Sequence, residues 1–131
     1  MNSIASIVIL LILLMLIDIP IVCYLYQTTY AGMFARINKV SNVSRLYTVG
    51  FIVYLLMAIG IYTFVISTTG TFFETLSKGA LLGVILFGVY DLTNMATIPA
   101  FGLKEAAIDT LWGGLLFASV TALFICVNVI L

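Results

Sequence analysis

Residues 4–26 read IASIVILLILLMLIDIPIVCYLY, and this stretch decides the class of fold. Asp18 is its only charged residue. A bilayer core about 30 Å thick is crossed by roughly 20 apolar residues in a helix, so this stretch predicts a transmembrane helix. Met1-Asn2-Ser3 carries no Lys or Arg, and no small-residue cleavage site follows closely. We therefore expect the span to be retained rather than removed as a signal peptide.

Three further stretches have the same apolar character, at about residues 46–66, 76–96 and 106–130. The chain is 64% hydrophobic and 8% charged. A soluble domain carries about 25% charged residues, so lipid must cover much of this surface. The joins between the stretches are short, which favours antiparallel neighbours. We therefore expect an all-α polytopic membrane protein, a four-transmembrane-helix up-down bundle that forms one integral membrane domain over residues 1–131.

The basic residues predict the orientation of the bundle. Arg36, Lys39 and Arg45 lie in the first loop and Lys104 lies in the third, whereas only Lys78 lies near the second. Because Lys and Arg accumulate in cytoplasmic loops, we expect loops one and three in the cytoplasm. Both termini are then non-cytoplasmic.

The two cysteines, Cys23 and Cys126, both fall within spans. In an up-down bundle their depths differ by roughly 20 Å or more, because a helix rises 1.5 Å per residue. A disulfide cannot bridge that distance. We expect both to be small buried hydrophobic residues.

The three aspartates of the chain, Asp18, Asp91 and Asp109, all lie within spans, and no Lys or Arg lies deep inside one. The up-down topology brings them to the same end of the bundle, at depths of roughly 5 to 12 Å. Carboxyl groups in a membrane normally face the bundle interior and mark a functional path or a polar network. Such groups are protonated, accept hydrogen bonds or hold a cation. They also fix the register between helices without any chemistry in some proteins.

Other residues on the same spans extend the predicted site and its packing. The polar intramembrane site is predicted to contain Asp91, Asn94, Asp109, Asp18, Tyr90, Thr93, Thr97 and Trp112. Small residues that allow helices to approach closely are Gly79, Gly83, Gly113 and Gly114, the first two in a GxxxG pattern. No histidine occurs, which removes the commonest metal ligand. We expect no cofactor, and a metal ion at the carboxyl groups is left open.

Two blocks of sequence resemble a known family. Residues 90–97, YDLTNMAT, and residues 109–113, DTLWG, are similar to the domain-of-unknown-function family 2177 of small, four-span predicted membrane proteins. Asp18 matches the family's aspartate late in the first span, although the family usually has Trp soon afterwards and this chain has Pro20 and Ile21. The resemblance implies four spans. It implies no reaction, because the family has no established activity.

Three functions are compatible with these features. The first is a conduit or carrier for protons, a cation or a small molecule, in which Asp91 and Asp109 titrate or coordinate and Asp18 and Asn94 complete the site. The second is a non-catalytic accessory, scaffold or lipid-organising component that contacts membrane lipid and assembles as a homo-oligomer or with a membrane partner. The third and least favoured is a lipid-modifying enzyme. The zero net charge predicts no nucleic-acid partner.

Overall fold

The computed structural model of the protein describes residues 2–37 and 43–130. These residues form α-helices and one π-helical turn, and this part of the chain contains no strand. In chain order the elements are α1 (Ser3–Gln27), α2 (Ala31–Ile37), α3 (Val43–Ile61) with the π-helical turn Tyr62–Ile66 that continues it, α4 (Phe72–Thr97) and α5 (Leu103–Ile130).

The predicted all-α membrane fold is confirmed. Within the described residues, four helical stretches are long and apolar enough to cross a membrane, namely Ser3–Gln27, Tyr47–Ile66, Phe72–Thr97 and Leu103–Val129. The protein is therefore an integral, multi-pass membrane protein. α4 begins about one turn earlier than the sequence predicted, because Thr71 and Glu74 form a capping box in which each side chain accepts a backbone N–H of the other. A search for apolar stretches does not detect such a polar helix start.

α5 lies at the centre of the bundle. α4 packs along it and α1 packs against another side of it, while α3 packs on α1 and its π-helical turn reaches α4. Neighbouring spans run antiparallel, as the up-down topology requires. The fully buried apolar core comes from α1, α3, the π-helical turn and α5, and it comprises Leu10, Leu14, Ala58, Ile61, Val65, Leu116, Phe117, Val120 and Phe124.

Glycines bring the backbones of α4 and α5 into contact. A Cβ atom on Gly83 would overlap the carbonyl group of Gly113, and one on Gly113 would overlap the ring of Phe87. One turn earlier on α4, Gly79 lies against Thr121 and the Phe117 carbonyl of α5. Lipid tails are as apolar as side chains, so close van der Waals packing of this kind stabilises helix pairs in a membrane.

The cysteines lie on the outside of the bundle. Cys23 and Cys126 are free, as expected from their depths, but both are exposed, so the prediction that they are buried was wrong. In a membrane protein the surface of the spans meets lipid rather than water. An apolar side chain is therefore not driven into the interior as it is in a soluble protein.

The first join is more structured than the sequence indicated. α2 follows α1 after three residues, and Tyr30 and Met33 at its start are buried. Lys39 of the predicted cytoplasmic loop lies outside the described residues. The Tyr30 and Met33 side chains are buried, so α2 packs with the bundle and is not an exposed polar loop.

Because Gly83 contacts Gly113, we predict that one added methyl group destabilises the protein at position 83 but not at an uncrowded glycine. Gly83→Ala places a Cβ on the Gly113 carbonyl, and we expect the free energy of unfolding to fall by about 1–3 kcal/mol through overpacking. Gly60→Ala in α3 is the matched control, because a Cβ there meets nothing within 4 Å. Thermal unfolding in detergent measures both variants. Equal stability of the two would contradict the close approach of α4 and α5.

Candidate functional site

The bundle brings the three aspartates to one end. This end, which we call the carboxyl end, contains the last turns of α1 and α4, the first turns of α3 and α5, and α2. Asp18 and Asp91 are buried, with 5% and 0% of their surface exposed, and Asp109 is half-buried. The interaction of the Asp109 carboxyl with those of both Asp91 and Asp18 shows that all three lie in one polar region.

Asp18 has a hydrogen-bond donor for each of its oxygens. The hydroxyl of Tyr54 on α3 donates to Oδ2 over 2.8 Å, and the indole Nε1–H of Trp112 on α5 donates to Oδ1 over 2.7 Å. The carboxyl group of α1 is thus tied to both helices that pack against it. Buried polar groups paired in this way stabilise the arrangement of the helices without an exchangeable ligand.

Asp91 and Asp109 form a pair of carboxyl groups between α4 and α5. The hydroxyl of Thr110 donates to Asp91 Oδ2 over 2.9 Å. The other oxygen, Oδ1, is buried and has no hydrogen bond of standard geometry in the described part of the chain. The Asp109 carboxyl is close enough to interact with the Asp91 side chain. We call Asp91 and Asp109 the carboxyl pair. It differs from Asp18 because its nearest strong partner is another acid.

Tyr30 lies near the carboxyl pair at the carboxyl end. It is buried, and its hydroxyl lies within hydrogen-bonding reach of the Asp109 carboxyl. Burial, and then the nearby carboxyl groups of Asp109, Asp91 and Glu105, raise the pKa of the Tyr30 hydroxyl. Tyr30 is therefore a neutral phenol beside the carboxyl pair.

Among the side chains that the structure describes, those that contact the polar region carry no positive charge. In the described part of the chain, the partners of Asp18, Asp91 and Asp109 are hydroxyl groups, one indole and one another. Residues 2–37 and 43–130 also contain no group of three or more His, Cys, Asp or Glu arranged to hold a metal ion. The described carboxyl groups therefore meet neutral donors and one another rather than a cationic side chain.

The structure separates the predicted site residues into two groups. Trp112 contacts Asp18 directly, and Asn94 is half-buried one turn after Asp91. Tyr90, Thr93 and Thr97 instead lie on the outer face of α4, where Tyr90 is 64% exposed. The two threonine hydroxyls donate to the carbonyl groups of Val89 and Thr93 in their own helix, so these three residues do not meet the carboxyl groups.

Three residues near the carboxyl groups were not predicted from the sequence. Tyr54 lies about as deep in α3 as Asp18 does in α1, so a comparison of depths across spans would have found it. Thr110 follows Asp109 directly but faces Asp91, which the packing of α4 on α5 decides. Tyr30 lies beyond the first span, and no periodicity in the sequence predicts that the turn before α2 directs it inward.

The hydrogen bonds of Asp18 predict the effect of removing either donor. Tyr54→Phe and Trp112→Phe each leave one buried carboxyl oxygen of Asp18 without its partner. We expect each to lower the free energy of unfolding by about 1–2 kcal/mol, the range for interhelical hydrogen bonds in membranes. Tyr90→Phe, at an exposed position of α4, is the control. If unfolding in detergent does not distinguish the three variants, these bonds contribute nothing to stability.

Comparison with known proteins identifies a family but no relative of known activity. The family of predicted membrane proteins called domain-of-unknown-function family 2177 matches residues 3–126. Neither the curated proteins nor the solved structures include a match. The match covers almost the whole chain, including all three aspartates, the first three spans and most of the fourth. This protein therefore belongs to the domain-of-unknown-function family 2177 of predicted membrane proteins.

Proposed function

We propose that this protein is a small membrane carrier that binds and releases a proton at the carboxyl pair, moving it alone or together with a small solute. The observation that carries the proposal is the placement of Asp91 beside Asp109 between α4 and α5, where the hydroxyl of Thr110, the next residue after Asp109, donates to Asp91 Oδ2 over 2.9 Å. The groups that meet them in the described residues are neutral donors and acids. Ionisable residues in such positions mark proton relays and substrate pathways in membrane proteins.

Electrostatics makes the carboxyl pair an exchangeable site. Two like charges about 4 Å apart repel by about 4 kcal/mol at an effective dielectric constant of about 20, and by more in a drier environment. One proton held between the two carboxyl groups removes that repulsion and satisfies an acceptor. Asp91 is fully buried with one oxygen lacking a standard hydrogen bond, so it gains most from the proton.

The rest of the bundle supports a carrier rather than an open channel. Between the carboxyl pair and the opposite end lie Leu14, Leu116 and Phe117, each with none of its surface exposed. Phe87 of α4 packs edge-to-face on Phe117, with ring centroids 6.1 Å apart. These fully buried apolar side chains separate the carboxyl pair from the opposite end in this conformation. Passage requires a second conformation that opens there, as in alternating access.

A second candidate is a non-catalytic membrane component that organises lipid or assembles with itself or another membrane protein. The hydrogen bonds of Asp18 favour it, because a carboxyl group with a donor on each oxygen holds three helices together without exchanging a ligand. The tight apolar core favours it as well. In this case the carboxyl pair also serves the packing of α4 on α5.

Proton flux separates the two candidates. The purified protein is reconstituted into liposomes that enclose a fluorescent pH indicator, and a valinomycin-set potassium gradient drives protons inward. Asp91→Asn or Asp109→Asn removes an acid that takes up the proton, so we expect flux to fall to the level of protein-free liposomes. Asp18→Asn is the matched control, since Asp18 has its own donors. It is expected to lower thermal stability while the folded protein retains flux.

The opposite result supports the second candidate. If the wild-type protein carries no more protons than empty liposomes do, the carrier proposal fails. The same conclusion follows if Asp91→Asn and Asp109→Asn reduce thermal stability and leave the flux of the folded protein unchanged.

We further propose that the carboxyl end faces the cytoplasm. Arg36 and Lys104 lie at this end and Lys78 lies at the opposite end, and basic residues favour the cytoplasmic side. A reporter fused after Leu131 tests the orientation in bacteria. Alkaline phosphatase in that position should be active and green fluorescent protein should be dark, because both termini are expected outside the cytoplasm. A fluorescent fusion with an inactive phosphatase would reverse the assignment.

A further inference from the structure

A pocket opens at the end of the bundle opposite the carboxyl end. It encloses about 300 Å³, at the lower limit of the roughly 300–1,000 Å³ that small-molecule sites occupy. It lies where the π-helical turn, the first turn of α4 and the last two turns of α5 meet. Its lining includes Ile66, Phe72 and Val129, each the terminal residue of a span. The pocket is therefore at the depth where the bilayer core gives way to lipid headgroups.

The π-helical turn forms one wall of this pocket. The backbone N–H of Ser67 donates to the Tyr62 carbonyl, five residues earlier, over 2.9 Å, and the Ser67 hydroxyl donates to the same carbonyl over 2.9 Å. Ile66, the last residue of the turn, lines the pocket. π-Helical turns are rare and are found frequently at functional sites. A backbone feature typical of functional sites thus borders the pocket.

The lining of the pocket is amphipathic. Phe124, which is 1% exposed, belongs to the apolar core, and Ile125 follows it on α5. Polar groups come from Thr68 in the second join, from Thr75 on α4 and from Asn128 near the end of α5. In the described part of the chain, no charged side chain lines the pocket itself. The lining therefore suits a molecule with both hydrocarbon and polar parts.

Two opposite charges are fixed at the rim of the pocket. The Lys78 ammonium donates to the hydroxyl of Thr68 over 3.0 Å and to a neighbouring backbone carbonyl over 3.3 Å. The Glu74 carboxylate, held by the capping box, lies beside Gly70, where a Cβ atom would be 3.2 Å from Glu74 Oε2. Thr68 and Gly70 both line the pocket. An ammonium has three N–H donors and a carboxylate has several acceptor positions, so both groups can bind a further partner.

We propose that this pocket binds a zwitterionic phospholipid, with its phosphate at Lys78, its headgroup ammonium at Glu74 and an acyl chain against Phe124 and Ile125. A positive and a negative group at one rim complement a headgroup that carries both charges. A purely anionic headgroup would meet the Glu74 carboxylate as well as Lys78. A water-soluble phosphate ester would leave the apolar walls without hydrocarbon to cover them.

The lipid site does not rest on the proposed proton carrier. The fully buried side chains of Leu116 and Phe117 lie between the pocket and the carboxyl pair. The residues that would bind the headgroup, Lys78 and Glu74, belong to the first two turns of α4, whereas Asp91 lies in its second half. Failure of one proposal therefore leaves the other standing.

Native mass spectrometry of the full chain tests the site by counting the lipid molecules that it retains. Phosphatidylethanolamine is the zwitterionic probe and phosphatidylglycerol the anionic one, and we expect the wild-type protein to bind the former more tightly. Lys78→Gln should weaken that binding by about tenfold, the effect of losing a hydrogen bond to a charged group. Glu74→Gln keeps a side chain that is able to form the capping box, and it should abolish the preference for phosphatidylethanolamine. Lys104→Gln, at the carboxyl end, is the matched control and should bind as the wild type does.

Thermal unfolding gives an independent measurement, because a ligand of the folded state raises the unfolding temperature. Phosphatidylethanolamine should raise it for the wild type and for Lys104→Gln, and less for Lys78→Gln. Glycerophosphoethanolamine, the same headgroup without acyl chains, should not. The proposal is overturned if the wild type binds phosphatidylglycerol as tightly, or if Lys78→Gln matches Lys104→Gln. It is also overturned if the free headgroup stabilises the protein as well as the lipid does, since the site would then take a water-soluble phosphate ester.

Discussion

The backbone contact of α4 with α5 at Gly83 and Gly113 is the constraint on which the polar geometry depends. The side chain of glycine is a single hydrogen atom, and only this allows the Gly113 carbonyl to lie against the Cα atom of Gly83. This contact fixes the antiparallel register of the pair. Two turns along the same interface, Asp91 then comes to face Thr110 and the Asp109 carboxyl. A wider spacing of α4 and α5 would break the hydrogen bond from Thr110 to Asp91.

The three aspartates have the same chemistry but different surroundings. Asp18 accepts one hydrogen bond on each oxygen and serves to join α1 to α3 and α5. Asp91 and Asp109 lie beside each other, so two charged carboxyl groups would repel. A proton on either group removes that repulsion and stabilises their close approach. One bundle thus contains a carboxyl group with a donor on each oxygen beside a pair in which one buried oxygen, Asp91 Oδ1, lacks a standard hydrogen bond. That contrast separates a structural role from a candidate functional one.

α5 connects the whole polar region. Successive turns of its first half present Thr110, which donates to Asp91, and Trp112, which donates to Asp18. Its second half supplies much of the apolar core, including Leu116, Phe117, Val120 and Phe124. α5 thus contributes polar contacts at the carboxyl end and apolar core packing toward the other end.

The sequence by itself determined the membrane class, the four spans, the common end of the three aspartates and the glycines between α4 and α5, because these follow from hydropathy, the helical rise and residue size. It did not determine which side chains face inward. The spans are apolar on all sides and meet lipid rather than water, so hydropathy distinguishes no interior face. The tertiary structure therefore decided that Tyr90, Thr93, Thr97 and both cysteines lie outside. It also decided that Tyr30, Tyr54 and Thr110 meet the carboxyl groups, because those contacts depend on helix rotation and on the turn before α2.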